Sequence, residues 1–138
     1  GLVIFIQHDG PECDPHHPSQ PGWLLLAELD VRPGDKCLSK SSCDAFLDTN
    51  LDRLLAEEEV DRLIITGCAT DYCVDASIRS ARARGYATVG PSDGHTTADR
   101  SHLTAPQIIA HHNAIWADFL SPAGAALVVP CGQIGLAS

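Results

Sequence analysis

Methionine is absent from this chain of 138 residues, which begins at Gly1. The apolar run Leu2-Val3-Ile4-Phe5-Ile6 follows at once, of the kind that strands buried on both faces carry. With no polar lead-in, the first residue is expected to lie inside a domain. Basic residues are few: nine Lys and Arg stand against eighteen Asp and Glu, for a formal net charge of −9. No basic cluster forms, which argues against nucleic acid and against an anionic membrane as partners. No apolar run approaches the roughly 20 residues a membrane-spanning helix needs. No secretory leader is visible. The six cysteines, at 13, 37, 43, 68, 73 and 131, match neither a zinc spacing nor a thioredoxin-like motif. A chain of this size does not need disulfide staples, so they read as reduced, in a cytoplasmic protein. Internal repeats and low-complexity tracts are missing too.

What is present is enough for one domain with its own core, residues 1–138. Hydrophobic content of 44% and charged content of 20% are those of an ordinary globular protein. Strand and helix patterns alternate. After Leu2–Ile6, residues 7–22 form a loop rich in Pro and Gly. A short strand, Cys37-Leu38-Ser39, ends at Lys40. Thr49 is expected to cap a helix running to about Glu59, with Leu51, Leu54 and Leu55 inward. A strand is expected over Arg62–Thr66, and another over Tyr86–Val89. Thr104-Ala105-Pro106-Gln107 is a capping-box pattern opening a helix with Ile108, Ile109, His112, Ile115, Trp116 and Phe119. Ala126–Val129 is a last short strand. This alternation is the α/β class with a mostly parallel sheet.

The chemistry centres on Leu63-Ile64-Ile65-Thr66-Gly67-Cys68-Ala69-Thr70-Asp71-Tyr72-Cys73. A β-branched run ends at Gly67, a turn residue. From Cys73 onward, Val74, Ser77, Ile78 and Ala81 recur at helical spacing, while Asp75, Arg79 and Arg82 fall elsewhere. Cys73 therefore opens a helix that follows a buried strand. Helix N-termini offer unpaired N–H groups and the positive end of the dipole. Such a place favours a thiolate nucleophile and can hold a developing oxyanion. A small buried cysteine is the competing reading. Sites in parallel sheets lie past the carboxyl ends of strands, where both Lys40 and Cys73 fall. His8, Asp9, Cys13, Asp14, His16 and His17 crowd the first loop, but no ligand spacing is recognisable, and no metal or other cofactor is assigned. His95 follows a strand end; it either lines the site or is a surface histidine. His112, on the apolar stripe, reads as packed or at an interface.

Lys40, Ala45-Phe46, Thr49-Asn50-Leu51, then Gly67 through Val74, Gly85-Tyr86 and Ser92-Asp93 together resemble the isochorismatase-like cysteine hydrolases. That superfamily includes nicotinamidases and carbamoylsarcosine amidases. The resemblance implies a three-layer α/β/α, Rossmann-like fold. It implies Cys73 and Lys40 as catalytic residues and an oxyanion hole from the Ala69 and Cys73 amides, aimed by a cis peptide between Cys68 and Ala69. It also implies an aspartate ending a first, central strand. Leu2–Ile6 matches the family's second strand and ends in Gln7-His8-Asp9. The domain is thus expected to lack the family's first strand and to be truncated at its N-terminus. Pro11 stands where nicotinamidases carry a metal-binding histidine, which counts against that assignment.

The implied activity is hydrolysis of a carbon–nitrogen, amide-type bond of a small molecule through an acyl-enzyme at Cys73. Three other readings stay open: a non-catalytic binding or scaffold protein of the same fold, ether hydrolysis of the isochorismatase type, and thiol redox chemistry at Cys68 and Cys73. A homo-oligomer is expected from the family habit and from the apolar helix bearing Trp116 and Phe119. Neither the substrate nor the residues that bind it can be read.

Overall fold

The computed structural model describes residues 1–135. Strand β1 (Ile4–His8) pairs in parallel with β2 (Lys36–Lys40), His8 opposite Lys40. Helix α1 (Leu51–Glu57) follows, then β3 (Arg62–Ile64) and the two-residue β4 (Gly67–Cys68). A single π-type turn, Thr70–Val74, runs directly into α2 (Asp75–Ala83). Next come β5 (Ala87–Pro91), β6 (His95–Thr96), α3 (Ala105–Asp118) and β7 (Leu127–Val129). Among the described residues every strand pairing is parallel: β1 with β2, β4 with β6, and β5 between β3 and β7. The α/β class with a parallel sheet is what the alternating pattern predicts.

The helix faces follow the apolar periodicity. Val74, Ser77, Ile78 and Ala81 are all buried. Arg82, expected off that face, is buried as well, because its guanidinium donates to the Tyr86 carbonyl at 3.2 Å and to the Gly124 carbonyl. Helix α2 ends in a Schellman arrangement: Tyr86 N–H reaches the Ala81 carbonyl and Gly85 N–H the Arg82 carbonyl, both at 3.1 Å. Gly85 takes φ 93° there, a value that favours glycine. On α1, Leu51 and Leu55 are buried and Leu54 is half-buried. Its N-cap is Asn50, not Thr49. Thr49 instead accepts from the Leu51 N–H at 3.2 Å and donates to the Ala45 carbonyl at 2.7 Å, closing the turn ahead of the helix. At α3 the Thr104 N–H donates to the Gln107 side chain at 2.9 Å, as the capping box requires.

Two apolar clusters result. Ala45, Phe46, Leu51, Leu55 and Ala81 form one; Val74, Ile78, Trp116 and Ala126 form the other, and Ile65 packs against both. Strand β5 is buried over Thr88–Pro91, as a strand with neighbours on both sides should be.

Strands β1 and β3 flank a groove of about 510 Å³, with Ile4, Ile6, Phe46, Leu55, Leu63 and Ile65 among its walls. Among the described residues no strand pairing crosses it: β1 pairs only with β2, and β3 only with β5. Ile6 and Ile64 keep 36% and 40% of their surface exposed, although each belongs to an apolar strand. Among the described residues no helix is long and apolar enough to cross a membrane.

Candidate active site

Lys40 is the last residue of β2 and is buried. Its ammonium group donates to three acceptors: the Ser42 carbonyl, the Cys43 carbonyl at 3.2 Å, and the Cys73 sulfur at 3.2 Å. A lysine has three N–H donors, so every one has a partner. Two hold the loop that follows β2, and the third reaches the helix start across 33 residues of sequence.

That loop is strapped to α2. Ala45 N–H donates to Ser77 Oγ at 3.1 Å, and Ser80 Oγ donates to Asp44 Oδ2 at 2.7 Å. Asp44 Oδ1 also accepts from the Phe46 N–H at 2.9 Å. The carbonyls that aim Lys40 and the turn that carries Cys73 are thereby fixed to the same helix.

Cys73 is half-buried, the fourth residue of the turn Thr70–Val74, and so stands at the head of the helical run. Gly67, at φ 117°, turns the chain between β3 and this segment. The Cys68–Ala69 peptide is cis, and the Ala69 carbonyl accepts from the Tyr72 and Val74 N–H groups at 3.1 Å each. A cavity of about 190 Å³ opens here, with His8, Lys40, Thr66, Cys68 and Cys73 in its wall. It lies past the carboxyl ends of β1 and β2, the place where sites in parallel sheets form.

Two neighbouring thiols are shifted upward. Burial pushes the Cys43 thiol up, with the Cys73 thiol as the next cause. Burial likewise pushes Cys68 up, followed by Cys73 and Asp71.

Three features escaped the sequence reading. His8, one of several polar residues in the first loop, ends β1 and lines the cavity. Asp71 takes a two-point contact from Arg100, at 2.8 and 2.9 Å, and a third from Thr97 Oγ1 at 2.6 Å. The Arg100 hydrogen bonds hold the Asp71 carboxyl well below the usual carboxylate range. Arg100 also lies over the Tyr72 ring, 4.9 Å from its centre. The loop after β6 is thus pinned to the turn that carries Cys73, a pairing at 29 residues' separation that no local pattern announces. His95, left open between site and surface, is in neither place: it is buried, between Thr70 and Asn113.

The other candidates disperse. Asp9 accepts from Trp23 Nε1 at 2.7 Å, and Asp14 holds His16. Among the described residues no three His, Cys, Asp or Glu side chains gather closely enough to hold a metal ion. All six cysteines are free, Cys68 and Cys73 included. His112 Nδ1 bonds to the Ile108 carbonyl at 2.8 Å, a packed histidine of α3. Trp116, expected to help an interface, is fully buried in the core.

The isochorismatase domain family matches residues 2–118 of this chain. A streptothricin hydrolase of Streptomyces noursei is 33% identical over 121 residues, covering 84% of this chain and 48% of that protein. A ureidoacrylate amidohydrolase of Agrobacterium fabrum is 34% identical over 87 residues, covering 63% of this chain and 36% of that protein. The chain therefore spans about half the length, or less, of these two relatives. A crystal structure described as an isochorismatase family protein superposes with a TM-score of 0.84 at 37% identity, over 94% of this chain and 73% of that one. The nicotinamidase of Staphylococcus aureus superposes with a TM-score of 0.72 over 92% of this chain and 75% of that one; at 21% identity the likeness bears on the fold alone.

Proposed function

The chain belongs to the isochorismatase family, and on that premise we propose that it carries the nucleophile of a cysteine hydrolase acting on an amide-type carbon–nitrogen bond of a small molecule. The single observation that carries this reading is the 3.2 Å contact between Lys40 Nζ and Cys73 Sγ at a cavity past two strand ends. The names of the two curated relatives, a streptothricin hydrolase and a ureidoacrylate amidohydrolase, support the bond class.

In this reading the Cys73 sulfur, as thiolate beside the Lys40 ammonium, attacks the substrate carbonyl carbon. A carbon–sulfur bond forms, and the carbonyl oxygen becomes an oxyanion that the Ala69 and Cys73 amides receive. The carbon–nitrogen bond then breaks, and the nitrogen leaves with a proton. Water attacks the thioester, releases the acid and restores the thiol.

The proton needs a carrier, taken from the thiol and delivered to the leaving nitrogen. Neither Asp9 nor Asp14 lines the cavity, and each is engaged elsewhere. We assign the role to an aspartate on a segment preceding Gly1. That segment would enter the groove between β1 and β3 as a parallel strand, complete the sheet and end beside Lys40 and Cys73. The groove's apolar walls and its unpaired strand edges support the assignment, since exposed edges of this kind call for pairing. So do the lengths of the relatives. On this view residues 1–138 are part of one hydrolase domain whose first strand precedes Gly1. A cytoplasmic location belongs to the same reading, in keeping with six free thiols. So does self-association, for which the exposed Leu24, Leu26, Leu29 and Val31 offer apolar surface.

The test is to express the chain from Gly1 beside a version extended upstream by the proposed strand, and to compare thermal unfolding and turnover of a panel of small amides. The longer chain is expected to be the more stable and the only efficient catalyst. Equal stability and equal turnover would place the proton carrier inside these residues and refute the strand assignment.

A further inference from the structure

The turn that carries Cys73 is gripped at both ends by two rings that touch each other. At its first residue, the Thr70 hydroxyl lies 2.8 Å from His95 Nδ1. Just past its last, Asp75 Oδ1 accepts from Trp116 Nε1 at 2.8 Å. The His95 and Trp116 rings meet edge to face with centroids 4.9 Å apart. Thr70 and Trp116 are fully buried and His95 nearly so, so water does not substitute for the contact between Thr70 and His95.

The direction of the hydrogen bonds is fixed from one end. Asn113 Nδ2 donates to the Ser92 carbonyl at 3.1 Å, which leaves Asn113 Oδ1 as the group 3.0 Å from His95 Nε2. An amide oxygen only accepts, so Nε2 must carry the proton. In the neutral ring Nδ1 is then a bare acceptor, and the Thr70 hydroxyl donates to it. His95 also sits in β6, with Gly67 of β4 opposite it in the register. It therefore holds the chain on both sides of the Cys68–Ala69 corner.

We infer that His95, with a proton on Nε2, is the positioning residue that sets the turn carrying Cys73 through the Thr70 hydroxyl. It does not line the cavity with Cys73, so it acts through the turn and does not touch substrate. The inference rests on the reading of Cys73 as the nucleophile.

Two substitutions separate the halves of the ring. Asparagine places an amide oxygen near the Nδ1 position and keeps the acceptor for Thr70. Glutamine places an amide N–H near the Nε2 position and keeps only the donor toward Asn113. The experiment measures iodoacetamide alkylation of Cys73 by peptide mass in the parent, His95→Asn, His95→Gln and Thr70→Val, alongside melting temperatures and ¹⁵N shifts of the His95 ring. His95→Gln and Thr70→Val are expected to slow Cys73 by about a hundredfold, the scale of a misplacement near 1 Å, with His95→Asn recovering most of the rate at a similar melting temperature. A rate that simply follows melting temperature, or a ring protonated at Nδ1, overturns the inference. If Cys73 in the parent reacts no faster than the exposed Cys13 and Cys37, the nucleophile reading fails instead. The inference is then decided by the ring tautomer and by the backbone amide shifts of residues 70–74, whose invariance in His95→Gln would overturn it.

Discussion

Replacing Lys40 with methionine removes one charge and three donors while keeping most of the side chain's length. The consequences divide into two magnitudes. At an effective dielectric near 20, the bare Coulomb attraction between an ammonium and a charged sulfur 3.2 Å away is about 5 kcal/mol, before the opposing cost of desolvating both groups. Water entering beside the shortened side chain would restore part of that, and if about half is lost Cys73 reacts roughly a hundredfold more slowly. Separately, the Ser42 and Cys43 carbonyls lose a charged donor. Hydrogen bonds to charged groups are worth about 1.5–3 kcal/mol each, less where water can take the donor's place. Cys43 is exposed, so a total near 2 kcal/mol is expected, a fall in melting temperature of roughly 5–10 °C. Lys40→Arg keeps the charge but presents a planar fork in place of three tetrahedral donors. It should recover part of the stability and little of the rate. The assay is alkylation of Cys73 followed by peptide mass, run well below every variant's melting temperature, with calorimetry in parallel. If Lys40→Met alkylates at Cys73 as fast as the parent while melting lower, Lys40 is a structural strap only and the electrostatic argument is wrong.

Other outcomes follow from the same geometry. Ser80→Ala removes the strap from Asp44 and should cost about 1 kcal/mol; its effect on Cys73 reactivity should exceed that of a surface substitution of equal cost, and no such excess would show that the loop holds its place without the strap. Asp71 is held ionised by Arg100, so the folded state binds fewer protons there than the unfolded one. Its stabilisation is present above the ordinary carboxylate value near 3.8 and is lost as the pH falls below it. Asp71→Asn should therefore be less stable near neutral pH and lose less between pH 5 and 2; parallel stability curves for the two chains would contradict this. Cys43 and Cys68, exposed like Cys13 and Cys37 but with thiols pushed up by partial desolvation and by Cys73, should alkylate at pH 8 more slowly than those two. Labelling at equal rates would show that neither thiol is shifted.

Much of this was legible because it is local. The apolar spacing of Val74, Ser77, Ile78 and Ala81 marks the buried face of α2, and those residues are buried. Gly67 and Gly85 mark turns that do take positive φ. The position of Lys40 after one strand and Cys73 after another is a statement about chain order, and the parallel topology turns it into a shared pocket. Strand ends were less legible. The first strand begins at Ile4, not Leu2, because pairing starts only where Lys36 lies opposite. The strand expected over Arg62–Thr66 stops at Ile64, and β4 with β6 takes up the chain after the bend. What the sequence could not show are contacts with no period. Arg82 reads as a surface residue until the carbonyls of Tyr86 and Gly124 are brought to it. Trp116 reads as an interface residue until Asp75 and His95 close around it. The pairing of Asp71 with Arg100 and of Thr70 with His95 depends on how two loops fold back on one turn.

The central claim is that Cys73 forms a covalent bond with the acyl group of an amide substrate. Its most direct test is to acid-quench the protein, extended upstream by the proposed strand, during turnover of a small amide, weigh the intact protein and map the adduct by peptide mass. The account predicts a single acyl adduct on the peptide containing Cys73, absent from Cys73→Ser and discharged by hydroxylamine as a thioester is. Steady hydrolysis with no adduct at any quench time, together with undiminished hydrolysis by Cys73→Ser, would contradict it.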